Sequence, residues 1–484
     1  MQPLDDLRTE TGSSNGEVRV CPSCGYVNPS DGSVRCNGCW VPLTGVGAVS
    51  EVEGEQMAQD MRKRVRRRML LLRGIPSAVV VLLVIWGATA FFNLGPGVPA
   101  ASTNLTADLS TGAWAQGRRT AQNTNFTPNP APIPRRIKWT FVTDEPLDSA
   151  PAIVDELVYL TTGDGRLVAL DRSTGQLAWE YRTGLVSSST PVVAGDLIIA
   201  AFIPGLLVAL DRDTGAKRWE VDIDQPIFSS PIVAEGTLYF GAGDWKLHAL
   251  DAATGEELWT FVTKDWIVSP VAYADGTVVV ASQDSNVYVV DADSGRQLLM
   301  YSTGYQRFGG GPTIDGDTVY ISSARGWIWA IDRLAKSYPG QRKFWRLKIN
   351  LYVWQIISTK PIQPGGLWSK RVGGQVKGLL AIAHGVVYGA TEKGKIFAHD
   401  GDTGQKKWST RLKVKVSTSP SIAGDTVLVG TEEGKIFGLD AANGDVLWQF
   451  QAGEGEIVDS PVVAGDTIYV ASVDGTLYAI TGGN

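Results

Sequence analysis

Four cysteines near the start of the chain have the spacing of a metal site. Cys21 and Cys24 form one Cys-x-x-Cys pair, Cys36 and Cys39 form a second, and eleven residues separate the pairs. Two short turns of this kind can bring four thiolates to the corners of a tetrahedron around one zinc ion. Four ligands close the coordination shell, which favours structural zinc over a redox-active dithiol. The sequence therefore predicts a zinc ribbon over residues 21–44.

A second group of side chains suited to binding lies in a strongly basic stretch later in the chain. Between Arg333 and Arg371 there are nine Lys or Arg and no acidic residue. Apolar and polar residues alternate from Trp345 to Leu351, which favours an added strand or hairpin with one basic face. This pattern fits a solvated decoration and a binding site for an acidic partner or lipid headgroups equally well. The candidate partner-binding residues are Arg342, Lys343, Trp345, Arg346, Lys348 and Trp354.

Catalytic chemistry finds little support in the sequence. The three histidines are His248, His384 and His399, and none has the partners that a hydrolase triad or a histidine metal site needs. The aspartates fall mainly in repeated turns, where a structural role is favoured over that of a general base. No catalytic residue is predicted. The formal net charge of −6 argues against a general nucleic-acid binder.

The elements that would position these residues follow from an internal repeat of close to 40 residues. Residues 169–175, 209–215 and 249–255 share the pattern Ala-Leu-Asp-x-x-Thr-Gly, and weaker copies bring the total to eight. A period of this length is typical of a propeller or solenoid. Each unit contains four short apolar runs separated by turn residues, which is the content of a propeller blade. In the first unit these runs are residues 152–154, 157–161, 167–170 and 177–181.

The repeats predict an all-β fold, an eight-bladed β-propeller with four-stranded blades over residues 135–484. A tryptophan follows the repeat aspartate by eight residues in most units. The fifth unit departs from this rule, which predicts an insertion at residues 333–367 in one hairpin turn. The last unit ends before its own tryptophan, whereas residues 137–141 resemble the missing strand. The N-terminal strand is therefore expected to close the eighth blade.

The pattern Ala-x-Asp-x-x-Thr-Gly-x-x-x-Trp resembles the tryptophan-docking repeat of the pyrroloquinoline-quinone (PQQ) propeller superfamily, over residues 114–484. The resemblance implies that each blade's tryptophan packs against the neighbouring blade. Two branches of the superfamily matter here: quinoprotein alcohol dehydrogenases, which bind PQQ and calcium, and non-catalytic envelope proteins similar to BamB. The dehydrogenases typically carry an adjacent cysteine pair over the cofactor, and this propeller has no cysteine. PQQ and calcium are therefore not expected.

A transmembrane helix is predicted between the ribbon and the propeller. Residues 74–94 carry no charge and are long enough to span about 30 Å of hydrocarbon as a helix. A basic cluster precedes them, so the positive-inside rule places residues 1–73 in the cytosol and the propeller outside. The cysteine segment also resembles the small zinc ribbons of many prokaryotic membrane proteins, although Trp40 replaces the glycine often found there. The remaining segments are predicted to be a flexible N-terminus (1–20), a juxtamembrane linker (45–73) that is flexible up to residue 60, and an extracytoplasmic linker (95–134).

These observations predict a non-catalytic scaffold anchored in the cell membrane by a single span. Its propeller would bind an envelope protein or an extracellular polymer, and its ribbon would contact a cytosolic partner. A PQQ-dependent dehydrogenase and an extracytoplasmic ligand sensor are the alternatives. No nucleic acid is expected as a partner.

Overall fold

The structure is a computed structural model, and it falls into two compact units. Unit 1 comprises the described residues of Met1–Gly95 and Ser337–Gln363, and unit 2 comprises those of Pro96–Lys336 and Pro364–Asn484. The predicted insertion therefore belongs to the same unit as the cysteine segment. The described residues are 16–30, 33–38, 40–71, 99–107, 110, 112–187, 189–304, 306–338, 340–359 and 361–482.

Unit 1 is built from a short sheet and two helices. β1 (Glu17–Val20) pairs antiparallel with both β2 (Val27–Pro29) and β3 (Val49–Ser50). The helices are α1 (Glu51–Leu71), which begins directly after β3, and α2 (Gln341–Val353), which lies in the insertion. Within the part of the chain that the structure describes, no helix is long and apolar enough to cross a membrane. The predicted span at residues 74–94 lies outside that part.

Helix α1 packs on the sheet through small residues. A Cβ added to Gly54 would lie 2.3 Å from Cγ2 of Val18, and Ala58, one turn further along, is 2 % exposed. The prediction that residues 45–60 form a flexible linker is therefore wrong. Two small residues one turn apart make a helix face that lacks the large apolar side chains on which hydrophobic periodicity depends.

Helix α2 corrects the prediction of an added strand or hairpin in the insertion. Trp345, Ile349 and Val353 follow one another at intervals of four residues, and Ile349 is 8 % exposed. The apolar residues of this segment satisfy a period of two as well as a helical face. Gln, Arg, Lys and Leu are good helix formers, and no Gly or Pro interrupts α2, so the helical conformation is favoured.

The described residues of unit 2 form eight antiparallel blades of four strands, the blades of a β-propeller, and one blade carries a fifth strand added in parallel. Two early strands join late blades: β4 (Phe126–Thr127) lies parallel to the inner strand of blade 7, and β5 (Arg136–Val142) completes blade 8. Blade 1 contains β6 (Ala152–Val154), β7 (Leu157–Thr161), β8 (Arg166–Asp171) and β9 (Leu177–Arg182). Blade 2 contains β10 (Val192–Ala194), β11 (Leu197–Phe202), β12 (Leu206–Asp211) and β13 (Lys217–Asp222). Blade 3 contains β14 (Ile232–Ala234), β15 (Thr237–Gly241), β16 (Lys246–Asp251) and β17 (Glu257–Val262). Blade 4 contains β18 (Ala272–Ala274), β19 (Thr277–Ser282), β20 (Asn286–Asp291) and β21 (Gln297–Ser302).

The later blades follow the same order, from an inner strand of three residues to an outer strand of six or more. Blade 5 contains β22 (Thr313–Asp315), β23 (Thr318–Ser322), β24 (Trp327–Asp332) and β25 (Gly366–Arg371). Blade 6 contains β26 (Ala381–Ala383), β27 (Val386–Ala390), β28 (Lys395–Asp400) and β29 (Lys406–Arg411). Blade 7 contains β30 (Ser421–Ala423), β31 (Thr426–Gly430), β32 (Lys435–Asp440) and β33 (Val446–Gln451). Blade 8 contains β34 (Val462–Ala464), β35 (Thr467–Ala471) and β36 (Thr476–Thr481), with β5 as its outer strand. Alternate side chains of the middle strands pack between neighbouring blades, so the core lies in the seams.

The N-terminal strand closes the ring as the repeat predicts. β5 pairs antiparallel with β36, and Trp139 lies opposite Ala479. Blade 8 thus joins the two ends of the propeller chain, which removes a free sheet edge.

One hydrogen bond recurs at most seams between blades. The Nε1 atom of a tryptophan on the outer strand donates to a carbonyl 33 residues later, in the last turn of the next blade, at 2.7–3.1 Å. Leu299 replaces the tryptophan between blades 4 and 5 and is fully buried. The tryptophan docking implied by the family resemblance is therefore present. The pairs are Trp139–Arg172, Trp179–Arg212, Trp219–Ala252, Trp259–Ala292, Trp368–Gly401 and Trp408–Ala441.

Two glycines with matching backbone conformations isolate the contribution of this docking. Gly215 (φ 71°) lies against Trp179, where an added Cβ would be 2.7 Å from Cε3, whereas Gly184 (φ 70°) has no atom within 4 Å of such a Cβ. Both replacements by alanine meet the same backbone strain, but only Gly215→Ala also crowds the seam. We expect it to lower the free energy of unfolding by about 1–3 kcal/mol more than Gly184→Ala, measured by urea denaturation. Equal losses would show that the ring does not press on this turn.

Candidate functional site

Two turns of the same geometry hold the described cysteines. In the first turn, the backbone N of Cys21 donates to the carbonyl of Tyr26 at 2.9 Å, and the N of Gly25 donates to the carbonyl of Cys21 at 2.8 Å. The same two bonds recur around Cys36, where Trp40 takes the place of Gly25. Gly25 and Trp40 adopt φ angles of 66° and 62°. Trp40 thus has the left-handed backbone that glycine more commonly supplies in such a turn.

The turns bring three sulfur atoms together. The Sγ atoms of Cys21, Cys24 and Cys36 all lie within 4.8 Å of one another, and those of Cys24 and Cys36 are 3.5 Å apart. Sulfurs around a tetrahedral zinc ion with bonds of about 2.3 Å lie about 3.8 Å apart. The backbone N of Gly38 points at Sγ of Cys36 at 3.3 Å, which stabilises a thiolate. These three buried cysteines could hold a metal ion.

The fourth predicted ligand, Cys39, lies outside the described residues. In the sequence it occupies the position in the second turn that Cys24 occupies in the first. Among the residues that the structure does describe, Cys21, Cys24 and Cys36 form the one group of three or more potential metal ligands.

The insertion contributes to the surroundings of the cysteines. The indole Nε1 of Trp354 donates to the carbonyl of Cys24 at 2.7 Å, and Val353 packs against the cluster of cysteines and Leu43. Trp354, a candidate partner-binding residue, thus supports the ribbon. This contact and the predicted topology exclude each other, because that topology puts a bilayer of about 30 Å between the ribbon and the insertion.

The other candidate residues of the insertion divide between two faces of α2. Lys343, Arg346 and Lys348 are exposed, while Trp345 is half-buried. The side chain of Arg342 lies outside the described part of the structure. Two apolar residues outside the set predicted from the sequence, Phe344 (55 % exposed) and Leu347 (42 %), lie beside the basic ones. We call Lys343, Phe344, Arg346 and Leu347 the insertion face.

A segment that sequence reasoning assigned to an extracytoplasmic linker instead occupies the hub of the propeller. Residues 113–127, here called the hub segment, hydrogen-bond to the inner strand, or to the loop before it, in all eight blades. Blades 1, 2, 4, 5, 6 and 7 each have a bond between backbones: Trp114 with Ile153, Ala115 with Val193, Ala121 with Tyr273, Gln122 with Ile314, Thr124 with Ile382 and Asn125 with Ile422. In blades 3 and 8 a side chain of the hub segment makes the contact: Gln116 with Val233 and Arg118 with Ser460.

The prediction of a linker at residues 95–134 is therefore wrong for the hub segment. Its bonds are spread over all eight blades, so no periodicity in its own sequence reports them. Trp114, which is fully buried, was the one signal: a large apolar residue within a polar stretch.

The hub segment and the inner loops line a cavity of about 230 Å³ that is open to solvent. Arg118 and Asn123 line it from the hub segment, and both are buried. Burial lowers the pKa of the Arg118 guanidinium to about 10, and the charge of Asp459 partly offsets this effect. Arg118 therefore remains a cation at neutral pH. The other lining residues are Gly117, Thr190, Phe228, Ser230, Ile232, Pro270, Gly378, Leu379, Ser417, Thr418, Ser419, Val458 and Asp459.

The lining of this cavity lacks the set of carboxylates that the calcium ion of the quinoprotein dehydrogenases would need. Calcium takes six to eight oxygen ligands and favours carboxylates, but Asp459 is the one acidic residue among the described lining residues, and a guanidinium shares the space. The adjacent cysteine pair of those enzymes has no counterpart either, because all four cysteines lie between residues 21 and 39.

Comparison with known proteins agrees with this architecture. A family model described as outer membrane protein assembly factor BamB matches residues 134–242, 204–335 and 363–484. No curated protein matches the chain. The solved structure of BamB from Moraxella catarrhalis is 18 % identical and has a TM-score of 0.58, and the match covers 72 % of this chain and 97 % of that one.

Quinoprotein enzymes share the fold at lower sequence identity. A europium-containing methanol dehydrogenase is 13 % identical, with a TM-score of 0.64 and coverage of 77 % of this chain and 98 % of the enzyme. The quinohemoprotein alcohol dehydrogenase from Comamonas testosteroni is 14 % identical, with a TM-score of 0.61 and coverage of 78 % and 82 %. At these identities the likeness concerns the fold alone.

Proposed function

We propose a function from one premise, which is that the chain belongs to the family described as outer membrane protein assembly factor BamB. The propeller acts as a non-catalytic scaffold that binds another protein of the cell envelope. Its repeated blades supply a rigid frame, and whatever is specific to this chain lies where the repeat is broken.

The observation that carries the proposal is the insertion face. Phe344 and Leu347 expose apolar surface beside Lys343 and Arg346, on a helix that interrupts an otherwise regular blade. Aromatic and arginine side chains are enriched at protein interfaces. The stretch from residue 333 to 371 contains no acid, so its partner presents an acidic surface.

A crosslinking experiment tests this scaffold function. We expect a photo-crosslinker at Phe344 of the full chain to capture a discrete envelope protein, and Lys343→Glu with Arg346→Glu to reduce its capture at least tenfold. Reversed charges would repel an acidic partner, and capture should weaken with salt. Measurement is by mass spectrometry of crosslinked products from envelope fractions.

The control uses apolar residues of similar exposure elsewhere. Val446 (45 % exposed) and Leu447 (54 %) lie on β33 of blade 7, so Val446→Ser with Leu447→Ser should leave capture unchanged. Capture that survives charge reversal at the insertion face, or that fails equally in the control, would contradict the proposal.

We further propose that Cys21, Cys24, Cys36 and Cys39 bind one structural zinc ion. The three clustered sulfurs and the equivalence of the two turns support this assignment. Four thiolates leave no open coordination position, so the ion would stabilise the ribbon rather than act on a substrate.

Association with a membrane is proposed from residues 74–94. An uncharged apolar run of this length favours a hydrocarbon environment. Fractionation of cells that express the full chain or the chain without residues 74–94 tests the assignment, because the deleted form should leave the membrane fraction.

A PQQ-dependent dehydrogenase is the second candidate, and the shared fold of the two quinoprotein enzymes is what favours it. Titration of the full chain with PQQ and calcium, followed by absorbance, distinguishes the two functions. Stoichiometric binding with reduction of a dye by an alcohol would replace the scaffold proposal.

A further inference from the structure

The hub cavity contains a buried arginine with a free hydrogen-bonding edge. Arg118 is 4 % exposed and lines the cavity, and its Nη1 donates to Oγ of Ser460 at 2.7 Å. Its Nε and Nη2 atoms are buried without a hydrogen-bond partner. These two atoms form one edge of the guanidinium, the edge that binds both oxygens of a carboxylate side by side.

Two further lining residues have unpartnered polar atoms. Nδ2 of Asn123 donates to the carbonyls of Val271 at 2.8 Å and Pro312 at 3.0 Å, which fixes the amide and leaves its Oδ1 without a partner. The hydroxyl of Thr190 is also buried and unpartnered. Asn123 and Thr190 are each 1 % exposed. The cavity thus offers a cationic fork, a fixed acceptor and a hydroxyl.

This set of groups defines the chemistry of an occupant. Oδ1 of Asn123 can only accept, so the occupant must donate there, whereas the fork of Arg118 requires an acceptor pair. A volume of about 230 Å³ limits the occupant to a small molecule. Asp459, which lines the same space, disfavours a doubly charged anion such as phosphate. Phe228 and Asp459 are partly exposed, which gives the cavity access to solvent.

We propose that the hub cavity binds a small carboxylate that carries a hydrogen-bond donor, a hydroxy acid or an amino acid. The carboxylate lies on the Nε and Nη2 edge of Arg118. The hydroxyl or ammonium group donates to Oδ1 of Asn123, and Thr190 completes the site. The site is independent of the insertion face and of the scaffold function proposed above.

Calorimetric titration of the full chain tests the site with defined probes: lactate, glycine, acetate and inorganic phosphate. We expect saturable binding of lactate or glycine, weaker binding of acetate, which lacks the donor, and none of phosphate. Arg118→Gln should weaken binding roughly 10- to 100-fold, because it removes a charged hydrogen-bond donor. Thr190→Val keeps the shape of the side chain and should weaken binding by a smaller factor, so it serves if Arg118→Gln fails to fold.

A second buried arginine provides the matched control. Arg333 is also 4 % exposed, but it is paired with Asp275 and Asp317 and lies outside the cavity lining. Arg333→Gln should leave the affinity unchanged in whatever fraction of the protein folds. The proposal would be overturned if none of the probes gave saturable heat or if phosphate alone did. It would also be overturned if every variant that folds, among Arg118→Gln and Thr190→Val, bound the probes with the affinity of the wild type.

Discussion

Loss of the proposed zinc ion is expected to unfold the ribbon while the propeller stays folded. Structural zinc contributes about 10–16 kcal/mol of apparent binding free energy in small zinc modules, more than a sheet of nine residues and its helices can supply. Cys36→Ser should therefore abolish stoichiometric zinc and the ordered sheet of unit 1. Metal analysis together with hydrogen exchange of residues 16–61 and of the blades measures both effects.

The two cysteine turns provide the comparisons. Ser23 is exposed and lies between Cys21 and Cys24, so Ser23→Ala should keep both zinc and order. If Cys39 is the fourth ligand, Cys39→Ser should lose zinc and the ordered sheet to the same extent as Cys36→Ser. Zinc retained at one ion per chain in either cysteine variant would contradict a four-thiolate site.

Replacement of Trp114 by alanine is expected to destabilise the propeller by about 3–5 kcal/mol. Trp114 is fully buried, and its backbone exchanges two hydrogen bonds with Ile153, so a cavity would open where the hub segment enters blade 1. The free energy of unfolding from urea denaturation measures the loss. Trp114→Phe should cost much less, because Nε1 of Trp114 is buried without a partner and its removal leaves no donor unsatisfied.

An exposed tryptophan provides the control for this loss. Trp245 is 48 % exposed, so Trp245→Ala should change the stability by less than about 1 kcal/mol. If Trp114→Ala lowered the free energy of unfolding no more than Trp245→Ala does, the hub segment would add little to the stability of the propeller.

The cysteine turns and the hub segment depend on contacts of different range along the chain, so the sequence predicts them to different extents. The cysteine turns are local, because each bond around Cys21 or Cys36 joins residues four or five positions apart. Spacing alone is therefore enough to predict them. The bond from Arg118 to Ser460 joins residues 342 positions apart, and no local pattern marks either one.

The blades could be predicted for a related reason. Asp171 accepts hydrogen bonds from the backbone of Ser173 and Thr174, so the turn that ends the third strand is encoded within four residues. Eightfold repetition then makes a weak local signal strong. The docking of Trp179 on the next blade is a long-range contact, but the repeat exposes it because the same pair recurs at a separation of 33 residues.

The sequence by itself determined the blades, the closing strand β5, the place of the insertion and the clustering of Cys21, Cys24 and Cys36, because each rests on short-range spacing or on repetition. Only the tertiary structure decided that the insertion is helical and supports the ribbon through Trp354, since its apolar residues fit two periods. It also decided that residues 113–127 fill the hub. The hydrogen bonds of that segment are spread over eight blades, and such a pattern leaves no trace in fifteen consecutive residues.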